Sequence, residues 1–349
     1  MIRILFVCCK YFNPGRRRSA CLFPFMAWVG LTLASFCWLG DVTRALLPPP
    51  PLDQKLNHFR RSRDLTHYLD NIKLLIEPSS VCDADPPLVI LVSSMASHVE
   101  HRQAIRNTWG KHQPTYFVLG VESQNIDENL VDNYVEAKQH SDIIVYDMQE
   151  HYQNLTLKTL LMLQWTLATC PRVKHLMKTD DDVLVNPWTL KVVLEENPAA
   201  KLLGYKLSNS KLHRDEYNKW FVPRWLSTAD HIPEYLSGTG YLIHGKYIKN
   251  IFNAAKSVPL INLEDVYLTY LVSKSKLNLD LVHDKRLSPF KPWIPVDCAY
   301  WSLASLHSLK PDEIAHAWAK IEEKGKLYEK GSRVCQFYKS NIENEIFLT

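Results

Sequence analysis

The hydrophobic and polar positions of this chain change pattern twice before settling into that of a folded domain. Residues 19–40 form an apolar run with no charged side chain inside it, about the length that spans a bilayer. Residues 41–86 mix Arg, Asp and His with short apolar pieces and include prolines at 48–51, a run that stays extended and does not pack. From residue 87 onward, continuous apolar runs at 88–92, 115–119, 142–146 and 173–177 have strand length, and helix-period segments separate them.

Those helical segments differ in character. The one at 128–138 is polar. The one at 155–169 carries Leu157, Leu160, Leu161, Met162, Leu163 and Leu167, a set that wraps too far round for one face, so this helix is expected to be buried. Strands alternating with helices predict an α/β domain with a central, mostly parallel sheet, whose ligands sit outside the C-terminal strand ends. The second half is less regular. Ser237, Gly238, Thr239, Gly240 and Tyr241 read as a tight glycine turn that admits a ligand closely. Glu264 and Asp265 open a helix expected to reach about residue 272, and Pro311 starts another over 312–324. Part of 65–76 is expected to be helical and to dock on the domain.

Charge and cysteine placement add a compartment. Arg16, Arg17 and Arg18 stand directly before the apolar run, with Arg3 and Lys10 further out, and positive charge on that flank keeps the N-terminus cytoplasmic. The expected layout is a cytoplasmic tail at 1–18, a transmembrane signal anchor at 19–40, a stem at 41–86 and a luminal catalytic domain at 87–349. A cleaved signal peptide is the rival, opposed by the long basic leader and the length of the apolar run. Cys82, Cys170, Cys298 and Cys335 lie beyond the span, an even set in an oxidising compartment with three connectivities open. Asn154 begins a glycosylation sequon on the same side. Over 349 residues, 46% apolar and 22% charged side chains suit one large core, and a net charge of +4 gives no footprint for a nucleic-acid partner.

The candidate chemistry starts at Asp180, Asp181 and Asp182, which follow an apolar strand. Three carboxylates desolvated together call for a cation. Residues two apart on extended backbone share a side, so Asp180 and Asp182 can aim at one ion while Asp181 points elsewhere. Hard oxygens suit Mg2+ or Mn2+, which keep positions open for phosphate oxygens. By themselves, Arg102 and Arg106, four apart on a helix, read as a solvated face. Glu264 and Asp265 alone read as ordinary acids of a helix first turn, and His307 alone as a structural histidine.

Several stretches nevertheless agree in order. Arg102 to Gly110, Asn154 to Thr159, Lys178 to Val183, Tyr235 to Tyr241 and Glu264 to Tyr267 together make the chain resemble the Golgi β-1,3-glycosyltransferases, the galactosyl- and N-acetylglucosaminyltransferases and brainiac-like enzymes. The resemblance spans roughly residues 88–318. It implies a GT-A-type nucleotide-sugar-binding fold and inverting transfer of galactose or N-acetylglucosamine from a UDP-sugar to a glycan acceptor, with Mn2+, at the Golgi membrane. By that resemblance Asp182 binds the metal, with Asp180 at the metal or the donor, Asp181 at the donor and His307 as a further metal ligand. Asp265 matches the catalytic base, with Glu264 beside it. Arg102, Arg106, Trp109, Lys158, Lys178, Gly238 and Gly240 fall in the motifs assigned to the donor pocket.

Inversion requires a carboxylate, apart from the metal cluster, to take the acceptor proton, and Glu264 and Asp265 supply that separate site. Two alternatives carry other functions: a membrane-anchored sugar-binding protein of the same fold without catalysis, and a secreted metal-dependent phosphohydrolase. The latter leaves Glu264 and Asp265 without a task.

Overall fold

The computed structural model describes residues 61–327, except 80–81, 83–84, 123–125, 216–217 and 292–296, together with Leu31, Thr32 and Ser35. The chain divides into two units, Met1–Arg60 and Arg61–Thr349. Of the first, only the helical Leu31, Thr32 and Ser35 are described, so the expected anchor at 19–40 lies otherwise outside the described residues. Among the described residues no helix is long and apolar enough to cross a membrane.

The second unit is built on β2 (Leu88–Ser93), whose six residues are all buried. Such an unbroken apolar run marks a strand covered on both faces. Leu88, Ile90 and Val92 feed one core cluster while Val89 and Leu91 feed another, the period-two alternation of a strand between two layers. The second cluster takes α4 (Leu155–Thr169), buried nearly all round as its sequence demands. The first takes α2 (Val99–Asn107) and α8 (Pro311–Leu327), the latter through Ile314, Ala317, Trp318 and Ile321.

Strand order in the eight-stranded sheet is β1 (Leu74–Ile76), β4 (Ile143–Gln149), β3 (Thr115–Val121), β2, β5 (His175–Asp180), β8 (His231–His244), β7 (Leu202–Lys211) and β9 (Leu281–His283). The middle four strands, β4, β3, β2 and β5, run parallel. From β2 the chain steps outward to β3 and β4, then returns through α4 to lay β5 on the other side of β2. That reversal opens a crevice at the C-terminal ends of β2 and β5, the usual place for a ligand in such sheets. Ser93 pairs with Asp180 there. On the far side, β8 runs antiparallel to β5 and to β7, and β9 closes the sheet parallel to β7. A small sheet joins β6 (Leu184–Val185), β11 (Ser305–Leu306) and β10 (Leu287–Ser288).

Three expectations need revising. The compact unit starts at Arg61, not at 87, because the end of the supposed stem is folded. Leu65 and Leu69, flanking the short helix α1 (Thr66–Leu69), are buried, and β1 pairs antiparallel with β4 at the sheet edge. Docking of part of 65–76 was expected; its strand was not. The supposed turn at 237–241 is the interior of β8, and among the described residues no glycine has positive φ. Lastly, the helix after Asp265 extends over Val266–Lys276 with π winding.

Cys82 is bonded to Cys170, across 88 residues of sequence, and Cys298 is also disulfide-bonded. The first bridge ties the edge-strand segment to the end of α4. Closing so long a loop in the unfolded chain is worth about 2–5 kcal/mol. Cys82→Ser with Cys170→Ser is expected to lower the thermal midpoint by several degrees in a denaturation scan. An unchanged midpoint would mean that packing alone holds the segment.

Candidate active site

The acidic triplet sits where β5 ends, and its three side chains part company. Asp182 and Asp180 come together with His307, and the three ligand atoms lie within 4.8 Å of one another. His307 arrives from a distant part of the chain because Leu306 pairs with Leu184, and the N–H of Leu309 then bonds the carbonyl of Asp182 at 3.0 Å. His307 Nε2 stands 3.3 Å from Asp182 Oδ2. Burial opposes charge on both, but their mutual contact wins, so the imidazole is raised and the Asp182 carboxyl lowered. Two carboxylates and an imidazole, each partly exposed, form a hard, open donor set that fits a divalent ion with room for phosphate oxygens.

Asp181 turns the other way, as extended backbone dictates. Its Oδ2 accepts from Ser94 Oγ at 2.7 Å and contacts His98 Nδ1 at 2.8 Å. That hydrogen bond raises His98. His98 stacks on His101, with centroids 4.8 Å apart, at the mouth of α2.

Behind the triplet lies Lys178, 3% exposed and surrounded by acceptors. Its ammonium donates to Asp180 Oδ1 at 2.8 Å and to the Gly238 carbonyl at 2.7 Å, and stands 3.4 Å from Glu264 Oε2. Burial penalises this charge, but Asp180 and Glu264 outweigh it and raise the lysine. Glu264, also buried, accepts from the Tyr241 hydroxyl at 2.5 Å. Tyr241 faces Lys178 across the β5–β8 register, so one ladder brings both partners to Glu264.

Asp265 lies next along this row. Its Oδ2 accepts from the Gly238 N–H at 3.1 Å and its Oδ1 from the Val266 N–H at 2.8 Å. Burial, then the neighbouring Glu264 charge, pushes its carboxyl up to about 6. The glycines of β8 make room for these acids. A Cβ on Gly238 would meet Asp265 Oδ2 at 3.2 Å and Glu264 Oε2 at 3.3 Å, and one on Gly240 would meet Met177 Cε at 3.3 Å.

The remaining sequence candidates support the crevice from beneath. Arg102 is fully buried, so the solvated-face reading fails for it. Its guanidinium forks onto Glu136 at 2.8 and 2.6 Å and donates to Ser94 Oγ, Met95 O and Ala96 O. Ser94 thereby relays Arg102 to Asp181. Arg106 pairs with Asp142 at 2.7 Å, and its Nη1 lies 2.7 Å from Glu136 in a charge contact without hydrogen-bond geometry. Trp109 is in the core. Lys158 spends its donors on Glu150 and the Ser94 carbonyl, at 2.6 to 2.7 Å. Arg102 and Lys158 therefore pin the turn after β2 and leave few donors for a ligand.

Asn154, the sequon residue, lies inside the fold. It is 7% exposed, its amide nitrogen donates to Gln149 O at 2.9 Å, and its oxygen accepts from Arg61 at 2.5 Å. The sequon asparagine is thus packed into the domain with both sides of its amide hydrogen-bonded. Sequence reasoning also missed His98, which has no signal beyond lying four residues before Arg102, and gave Tyr241 no part in the site.

Comparison with known proteins decides the family. The Galactosyltransferase family model matches residues 100–283. The chain belongs to the galactosyltransferase family. Mouse beta-1,3-galactosyltransferase 5 is 33% identical over 261 residues, 72% of this chain and 84% of that one. The human protein of the same name is 32% identical over 256 residues, 70% of this chain and 82% of its own. Mouse beta-1,3-galactosyltransferase 1 is 31% identical over 272 residues, covering 74% and 81%. A solved glycosyltransferase involved in glycosylation of the major capsid of PBCV-1 overlaps 67% of this chain and 100% of its own at 12% identity and TM-score 0.36, too loosely to bear on the fold. As a member of this family the protein is a glycosyltransferase, and its Asp180, Asp182 and His307 cluster is a site where a metal can bind.

Lys178→Met keeps the bulk of the side chain but leaves the buried Glu264 and the partly exposed Asp180 without their cation, a loss of about 3 kcal/mol. A denaturant melt that shows less than about 1 kcal/mol of loss would mean that Asp180 and Glu264 find other compensation.

Proposed function

We propose that this enzyme transfers galactose from UDP-galactose to a hydroxyl of a glycan acceptor, with inversion, forming a β-1,3 linkage. The relatives' names favour galactose over N-acetylglucosamine. The catalytic domain faces the Golgi lumen, held by an N-terminal anchor at 19–40. The basic flank and the disulfide support that side of the membrane. The architecture is of GT-A type.

The observation that carries the reading is a second acidic pair that takes no part in the metal cluster: Lys178 bridges Asp180 to Glu264, and Asp265 beside Glu264 is held by backbone N–H groups. Asp180, Asp182 and His307 are the residues that would hold a divalent ion, Mn2+ in our reading. Such an ion supplies Lewis-acid stabilisation of the charge growing on the departing diphosphate. Asp265 has a different task. Its two oxygens are aimed by the Gly238 and Val266 N–H groups, and Lys178 and Tyr241 hold Glu264 so that it does not swing into its place. With a carboxyl near 6, Asp265 is ionised at neutral pH yet basic enough to take a proton in the transition state. It accepts the acceptor hydroxyl's proton as that oxygen bonds to C1. The C1–O bond to UDP breaks with its electron pair staying on the diphosphate.

Three outcomes check this. UDP release with UDP-galactose and a glycan acceptor should stop on chelation and return with Mn2+; release only with UDP-N-acetylglucosamine would change the sugar. Asp265→Asn should cut kcat by about 10²–10⁴-fold with UDP and metal binding retained, whereas full activity would move the base to Glu264. Because the ionised form does the work, kcat/KM should fall as pH drops through about 6, and a profile flat down to pH 5 would exclude Asp265 as base.

A further inference from the structure

Trp188 is a half-exposed indole on a helix whose buried face is made by other residues. It lies in the first turn of α5 (Pro187–Glu196), a start fixed by Asn186, whose side-chain oxygen accepts from the N–H groups of Trp188 and Thr189 at 3.2 Å each. The helix buries Pro187, Leu190 and Val193. Trp188 points away from them and is 50% exposed. Its ring stacks on Trp318, with centroids 5.5 Å and planes 21° apart, and His112 leans on both rings at 5.2 and 5.1 Å. Because Trp318 is itself core, the exposed indole has a fixed backing.

Beside this ring is a cleft of about 590 Å³, within the size range of small-ligand pockets. Pro87 and the buried His175 line it, together with Gln113 and the exposed Lys174, Lys191 and Glu195. The cleft lies at the other end of the strands from the reacting groups. Leu88 pairs with His175 at the start of β2 and β5, and Ser93 with Asp180 at their end. Five residues of strand separate the two ends by about 17 Å.

We propose that this cleft is a second carbohydrate site, holding one pyranose unit of a glycan acceptor away from the place where transfer occurs. A pyranose has an apolar C–H face that packs on an aromatic plane, and hydroxyls round its edge that need hydrogen-bonding partners. A rigid, half-open indole beside an amide, ammonium groups and a carboxylate supplies both. A protein partner needs about 800 Å² of complementary surface, whereas the exposed large apolar side chains of α5 are Trp188 and Val192 alone, beside a cleft lined in part by Pro187, Leu194 and Pro198. The proposal rests on the reading that this enzyme acts on glycans. Holding one branch here would raise the effective concentration of another at Asp265.

The binding test uses the full chain in a detergent without sugar headgroups, labelled with 5-fluorotryptophan, and needs no donor or turnover; a kinetic test with donor and acceptor follows it. The Trp188 signal is assigned by its loss in Trp188→Phe. Methyl β-galactoside or methyl β-N-acetylglucosaminide should shift that signal with millimolar affinity, about the strength of one ring contact. Trp188→Ala should raise KM about tenfold for a branched glycan while leaving kcat and the KM of a single-sugar acceptor unchanged, and Trp188→Tyr should restore it. A Trp188 signal unmoved by about 50 mM of either glycoside, or self-association lost in Trp188→Ala, would overturn the site. Sugar binding at Trp188 in a protein that transfers nothing would keep this site and overturn the transferase reading instead.

Discussion

The site depends on one buried ammonium. Lys178 sits in the β5 strand, closed from water, with Asp180 on one side and Glu264 on the other. Without it, the acids at the end of β5 and the acids at the start of the π-helix would face each other uncompensated in a low-dielectric interior. With it, two acidic groups that would otherwise repel stand in one crevice. The sheet topology supplies the geometry: the reversal between β2 and β5 opens the crevice, and antiparallel β8 lays Gly238 and Tyr241 against Lys178.

A second layer of buried charge steadies the opposite wall. Arg102 and Lys158 converge on Ser94, one through its hydroxyl and the other through its carbonyl, and Ser94 passes that order to Asp181. Each cation has its own carboxylate, Glu136 or Glu150. Groups so completely paired are expensive to disturb and poor at meeting a ligand. They fix the place of the triplet rather than extend it.

Local periodicity made the strands, the buried helix at 155–169 and the divergence of Asp181 from its neighbours legible in the sequence, because each follows from spacing along one element. What spacing does not carry is a partner from elsewhere in the chain. Arg102 and Arg106 look like a wet helix face until Glu136 and Asp142 meet them across the fold. Gly238 and Gly240 look like a turn because glycine is usually wanted for its φ; here it is wanted for its missing Cβ beneath Asp265 and Met177. Asn154 reads as a sequon, and only the approach of Arg61 and Gln149 spends its amide. The pairing of His307 with Asp182 was available only through family resemblance, since β6 and β11 are two residues long each.

In the proposed mechanism metal and base belong to two separate acidic groups bridged by Lys178. A crystal structure with Mn2+ and UDP tests it most directly. The ion is expected within about 2.0–2.3 Å of an Asp182 oxygen and the His307 imidazole, with the diphosphate on its open side and Asp265 free of metal and still bonded to the Gly238 N–H. An ion ligated by Asp265 or Glu264, with Lys178 displaced from between the two acids, would contradict it.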